Sequence, residues 1–229
     1  TSIIFIIAPY MEVKLKKIFG EKFFNDIIKK KIVYLPNIVN LNKFHPYPYK
    51  PSDRYVTICW LNKKGVKRKN LYKLLQAIKY IKSAKLDIIG YGSYENKVKS
   101  WIKKLNLENR VLIQGFVRNE ELPELLSQYK AFLMPSFSET FGVAYAEALA
   151  CGVPILYSKD TGFDGIFNEV GIAVNPNSLN EIIDGIIKIE KDNFIFRNNI
   201  IKLNETKALN IFSEQNVKLK YWSAVQSII

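Results

Sequence analysis

Histidine occurs once in these 229 residues, at His45, and cysteine twice, at Cys59 and Cys151. One imidazole cannot build a multi-histidine metal centre. It stands in a proline-rich stretch with no serine–aspartate arrangement around it, so it reads as a surface loop residue. Two cysteines in apolar surroundings exclude a disulfide scaffold and suit a reducing compartment. The apolar stretch "SIIFIIA" at 2–8 falls far short of the ~20 residues that cross a bilayer. It also lacks the basic start of a signal peptide. No Gly-x-Gly-x-x-Gly follows the first strand of the regular pattern, which ends in "WLNKKG", so a nicotinamide-dependent dehydrogenase is excluded. Acidic residues are scarce: 21 Asp and Glu stand against 34 Lys and Arg, a net charge of +13. That balance suits an anionic partner such as nucleic acid, anionic lipid or a phosphorylated small molecule. Against nucleic acid, the aromatics sit mostly in apolar runs and are not interleaved with a basic patch.

What is present is a core. The composition is 48% hydrophobic, enough for one large domain or one domain with an appendage. "SIIFIIA" reads as a buried strand, "VKLKKIFG" and "KFFNDIIKK" as helices, and "KIVYLPN" as a short strand. "LNKFHPYPYKPSDR" then holds Pro46, Pro48 and Pro51, which no helix or central strand tolerates, so it reads as a boundary. Beyond it, strands are expected at 55–61, 86–90, 111–115, "AFLMP", "PILYS" and 171–174. Helices are expected over Leu71, Leu74, Leu75, Ile78 and Ile81; over 94–105 with Trp101 and Ile102 as core; over 120–128; over 141–150; and over Leu179, Ile182, Ile183, Ile186 and Ile187. Short apolar strands alternating with amphipathic helices imply an α/β fold. The expected form is a Rossmann-like, doubly wound parallel sheet with helices on both faces. Ligands of such sheets bind outside the carboxyl ends of the strands.

The stretch "SETFGVAYAEALACGVPILYS", residues 138–158, follows one of these strands. A helix starting near Thr140–Gly142 leaves amides unpaired, and these with the helix dipole favour a phosphate. Gly142 lets a ligand approach the backbone. Glu139 flanks this anion site and Glu147 lies further along, ~12 Å away at the helical rise per residue. Carboxylates accept hydroxyl donors, so the pair suits a ligand with hydroxyl-rich groups at both ends and phosphate between. A nucleotide-sugar has that form.

Glu139-Thr-Phe-Gly-Val-Ala-Tyr-Ala-Glu147 resembles the E-x7-E signature of retaining GT-B glycosyltransferases, glycosyltransferase family 4 (group 1) in particular. "VYLPNIVNLNKFHP", "LDIIGYGS", "RVLIQGFVRNEELPELLSQY" and "FLMPSFSETFG" match the same family in order and spacing. The resemblance implies that Glu139 contacts hydroxyls of the transferred sugar. It implies that Thr140, Phe141 and Gly142 line the diphosphate and sugar through their amides, and that Glu147 holds the ribose. Phe116, Val117 and Arg118 would frame the base, and Gly90 and Gly92 would form a close-packed loop beside the donor. The family's Arg and Lys for the diphosphate fall on "CWLNKKGVKRKN": Lys69 takes the Lys position, the Arg position falls at Lys63 or Lys64, and Arg68 is placed to compensate. Lysine neutralises phosphate as a point charge, not as a bidentate fork.

The implied reaction is transfer of a hexose-type sugar from a UDP- or GDP-sugar, with retention, to a glycan or lipid-linked acceptor in polysaccharide biosynthesis. Glu139 and Lys69 are the expected catalytic residues. No Asp-x-Asp is present, so no metal and no cofactor beyond the nucleotide-sugar substrate are expected. An epimerase on the same scaffold is the alternative, and a basic nucleic-acid-binding protein the alternative from another class. By resemblance, 1–44 is the end of an N-terminal acceptor domain with its linker, 45–210 the donor domain and 211–229 a returning helix. That helix would carry Val217, Tyr221, Trp222 and Val225 on one stripe. The chain is thus expected to be the donor-binding half of a larger, cytoplasmic enzyme. Lys14, Lys16, Lys17, Lys22, Lys29, Lys30 and Lys31 would favour contact with the inner face of an anionic membrane.

Overall fold

Runs rich in Ile, Val and Leu fold here as strands, and the 3.6-period runs between them as helices. The computed structural model describes residues 2–48 and 52–228. The middle of the proline-rich boundary, with Pro51, lies outside the described residues. The N-terminal segment comprises β1 (Ile4–Ile6), α1 (Tyr10–Phe19), α2 (Glu21–Phe23) and β2 (Ile32–Tyr34). The main unit runs β3 (Arg54–Ile58), α3 (Lys63–Arg68), α4 (Leu71–Tyr80), β4 (Lys85–Ile89), α5 (Glu95–Lys104) and β5 (Val111–Gly115). It continues with α6 (Leu122–Ser127), β6 (Ala131–Leu133), α7 (Val143–Ala150), β7 (Ile155–Ser158) and β8 (Gly171–Val174). Helices α8 (Leu179–Lys191), α9 (Asn193–Glu205) and α10 (Glu214–Gln226) complete it.

Strands β3 to β8 form one parallel sheet in the order β5-β4-β3-β6-β7-β8. The order reverses between β3 and β6, which makes the sheet doubly wound and sets its switch point there. Alternate residues of each strand feed opposite faces. Ala131 and Leu133 of β6 join Leu71, Leu74, Ile78, Val98 and Ile182 under α4, α5 and α8. Phe132 and Met134 join Leu126, Tyr145, Leu149 and Ile200 under α6, α7 and α9. Each fully buried Leu or Ile contributes about 1.5–3 kcal/mol. Capping fixes where helices begin: the Asn62 side chain accepts from the Gly65 amide at 2.7 Å to start α3, and Ser178 accepts from Glu181 to start α8. Asp87, buried within the sheet, accepts from Arg54, Gln114 and Tyr129, so it is a satisfied structural carboxylate.

Some expectations need correction. "SIIFIIA" is not a buried strand: β1 pairs only with β2, and Phe5 is exposed. The helix expected from Phe141 begins at Val143, because Gly142 takes a left-handed conformation at its N-cap. On α8 the buried stripe is Ile182, Gly185, Ile186 and Ile189, and Ile187 faces out. On α10 only Val217 is buried, and Tyr221 and Trp222 are exposed. Trp101 is half-buried rather than core, whereas Ile102 is buried.

Candidate functional site

Lys69 and Glu139 meet at the switch point from opposite sides. Lys69 ends α3, which follows β3, and Glu139 sits in the loop between β6 and α7. The Lys69 Nζ donates to Glu139 Oε1 at 2.7 Å and to Met134 Sδ at 2.9 Å. The two side chains are only 15% and 11% exposed, so solvent screens this pair less than a surface pair. The Phe137 amide donates to the Arg68 carbonyl at 2.9 Å, which ties the two loops together.

The main chain at Glu139 is pinned by two further elements. Thr161, in the β7–β8 loop, accepts from the Glu139 amide at 2.9 Å and donates to its carbonyl at 2.7 Å. The Gly162 amide donates to the same carbonyl at 3.0 Å. From the start of α1, the buried Tyr10 hydroxyl lies 3.2 Å from the Glu139 carbonyl and 3.1 Å from that of Thr140. Burial, and then the Glu139 carboxylate, raise the Tyr10 pKa, so the phenol stays a donor. Sequence reading missed Tyr10 and Thr161. Tyr10 is 129 residues from Glu139, with no local signal. Thr161-Gly162 did have one, a small polar turn directly after a strand on this edge.

At Gly142, φ is +82° and a Cβ would run into the Tyr145 ring, so this helix start needs glycine. Thr140 is exposed, but Phe141 is buried against Phe163 and Phe212, so only its backbone can face a ligand. Helical rise applies only from Val143 onward. The stretch from Glu139 to Gly142 is therefore not a helical span. Glu147 is half-buried on α7, and its carboxylate makes no hydrogen bond among the described residues. Burial raises its carboxyl pKa, with Lys43 pulling the other way.

Folding favours the protonated acid, so Glu147 costs stability as pH rises from the usual 4.5 through its raised value. Glu147→Gln is expected to raise Tm at pH 7 and to match the parent below pH 4.5. Thermal unfolding at both pH values checks this, and an unchanged Tm at pH 7 would contradict the burial cost.

The remaining predicted residues fall on the same edge of the sheet. Gly90 and Gly92 follow β4, where a Cβ would run into the Cys59 and Leu61 carbonyls, so these glycines let two loops touch. Phe116 and Val117 follow β5. The exposed Phe116 ring stands 5.4 Å from Tyr91, and Tyr91 5.2 Å from Trp60. These three rings, with Val117 and Gly90, line a cavity of about 180 Å³ that presents aromatic faces to a planar group. Trp60 and Tyr91 were not singled out in the sequence, where aromatics were assigned to apolar runs. Arg118 is exposed and paired with Glu121. Lys63, Lys64 and Arg68 are exposed and make no ion pair among the described residues. Cys59 and Cys151 are buried free thiols, each pushed up to about 12 by burial, and neither is a nucleophile at neutral pH.

The profile of the family described as Glycosyl transferases group 1 matches residues 61–207, a span that includes Lys69, Glu139 and Glu147. The O-antigen chain mannosyltransferase B of Escherichia coli is 31% identical over 132 residues, covering 55% of this chain and 34% of that protein. The E. coli UDP-Gal:alpha-D-GlcNAc-diphosphoundecaprenol alpha-1,3-galactosyltransferase is 28% identical over 202 residues, covering 80% of this chain and 51% of that protein. Among solved structures, Anabaena HepE in complex with UDP and glucose superposes with a TM-score of 0.74 at 17% identity, over 99% of this chain and 64% of that one. The last likeness shows the fold. This chain spans about a third to a half of these two curated relatives.

Proposed function

We propose, since this chain belongs to the group 1 glycosyl transferases, that it binds a nucleoside-diphosphate-sugar and serves as the donor-binding part of a retaining hexosyltransferase. The acceptor would be a glycan or a lipid-linked glycan. The observation that carries this reading is the Lys69–Glu139 pair at the switch point, beside the first turn of α7. A diphosphate entering there would take Lys69 and the α7 amides, which neutralise charge on the leaving group. Glu139, released from Lys69, would accept from sugar hydroxyls, and Glu147 from the ribose. The aromatic cavity at Trp60, Tyr91 and Phe116 would take the base. Lysine in place of a metal supplies the counter-charge in this scheme. The E. coli relative named for UDP-Gal and a diphosphoundecaprenol, and the HepE complex with UDP, favour a UDP-sugar and a lipid-linked acceptor. Calorimetry against UDP-, GDP- and ADP-sugars tests this. One base series should bind, and Glu147→Ala should weaken it by about 1–3 kcal/mol. No binding of any donor would contradict the reading.

We also propose peripheral contact with an anionic membrane through the N-terminal segment. Lys14, Lys17, Lys22, Lys29 and Lys30 are exposed there, next to exposed Ile18, Phe19 and Phe23. Each lysine near an anionic surface contributes about 1 kcal/mol. No helix among the described residues is long and apolar enough to cross a membrane. Vesicles containing phosphatidylserine should sediment more protein than neutral ones, and equal amounts would refute the contact.

A further inference from the structure

A second groove lies along α3. It has a volume of about 320 Å³, and Lys63, Lys67, Tyr72, Tyr94, Trp101 and Phe137 are prominent in its lining. Tyr72 and Tyr94 pack edge-on against Trp101 at 5.0 and 5.9 Å, and all three remain half-exposed. Phe137 is 42% exposed, with the Lys73 ammonium 5.5 Å from its ring centre. No carboxylate lines the groove. Lys63 and Lys67 are four residues apart on one helix and make no ion pair among the described residues. Like charges at that spacing repel, so a bound anion would relieve them.

The groove adjoins the proposed donor site and shares α3 with it; Lys63, one of the two positions expected to meet the diphosphate, lines this groove. Its α3 wall leads into Lys69, and its Phe137 wall is two residues from Glu139, with the Phe137 amide bonded to the Arg68 carbonyl. Aromatic faces beside unpaired ammonium groups suit a ligand with apolar ring faces and acidic substituents. An oligosaccharide carrying carboxylate or phosphate groups has both.

We propose that the α3–α5 groove binds an acidic oligosaccharide, next to the donor site. The choice of a glycan rests on the transferase reading above. Single-stranded nucleic acid shares part of this chemistry and is tested against it.

Calorimetry on the described chain decides. The ligands are a hexauronate, a phosphorylated hexasaccharide, neutral maltohexaose and the oligonucleotide dT6, with UDP titrated in parallel. One or both acidic sugars should bind, and which of them binds identifies the acid group. Maltohexaose should bind at least tenfold more weakly. Lys67→Glu and Phe137→Leu should each weaken the acidic sugar tenfold or more and leave UDP affinity unchanged. Absence of binding by both acidic sugars, equal binding of maltohexaose, tighter binding of dT6, or indifference to both substitutions would overturn the proposal. A chain that binds acidic sugar but not UDP would instead count against the donor-site reading alone.

Discussion

Expressed alone, this 229-residue chain should bind a nucleotide-sugar and transfer nothing from it. In the proposed scheme Glu139 orients the donor and Lys69 stabilises the leaving diphosphate, but neither positions an acceptor hydroxyl. Holding two reactants in register supplies about 7–11 kcal/mol of barrier lowering. In the proposed scheme that share comes from residues outside this chain, which covers only 34% and 51% of its E. coli relatives. A donor site open on one side also admits water, so slow hydrolysis is the most that should appear. A transfer assay with radiolabelled donor, run with and without the complementary half, measures this. Robust transfer by the chain alone would contradict the half-enzyme account and require an acceptor site within it.

In a complete enzyme, Lys69→Met should lower kcat by about 10²–10³, the usual effect of removing one preorganised stabiliser of developing negative charge. The substitution keeps an unbranched apolar side chain and removes the ammonium. It also leaves Glu139, largely shielded from water, without its partner. Removing one member of such a pair destabilises the fold as well, so Tm must be followed alongside. A rate loss well below the melting transition would assign the effect to catalysis. Glu139→Ala should remove most transfer too. Full activity in Lys69→Met would exclude leaving-group stabilisation by this lysine.

The parallel sheet was legible because six apolar runs are punctuated by glycine, proline and polar turns, and because the runs between them repeat with helical spacing. Leu71, Leu74, Leu75 and Ile78 are all buried as that spacing requires. The N-terminal segment was less legible. "SIIFIIA" has the composition of a core strand, but β1 has a single neighbour, and composition does not record how many strands will flank it. The same holds for α10, where Tyr221 and Trp222 look like a core stripe and lie exposed. At the site, Glu139 and Lys69 could each be picked out next to a strand end. Their ion pair could not, because it joins loops 70 residues apart and depends on the reversal between β3 and β6. Tyr10 was invisible for a related reason: its hydroxyl meets backbone carbonyls, and a carbonyl leaves no mark on residue type, while Thr161 was marked only by the small polar turn after its strand. Trp60 and Tyr91 were hidden by their apolar neighbours, since exposure at a strand end depends on what the loop turns away from.

The central claim is that Lys69 serves the diphosphate and Glu139 the sugar. Dissociation constants for UDP and for the matching UDP-sugar, measured on the parent, Lys69→Met, Glu139→Gln and the double variant, test it most directly. Lys69→Met should weaken both ligands by a similar factor. Glu139→Gln should weaken the UDP-sugar alone and leave UDP unchanged or slightly tighter, because it frees Lys69. Equal losses for both ligands on Glu139→Gln, or no loss on Lys69→Met, would contradict the account.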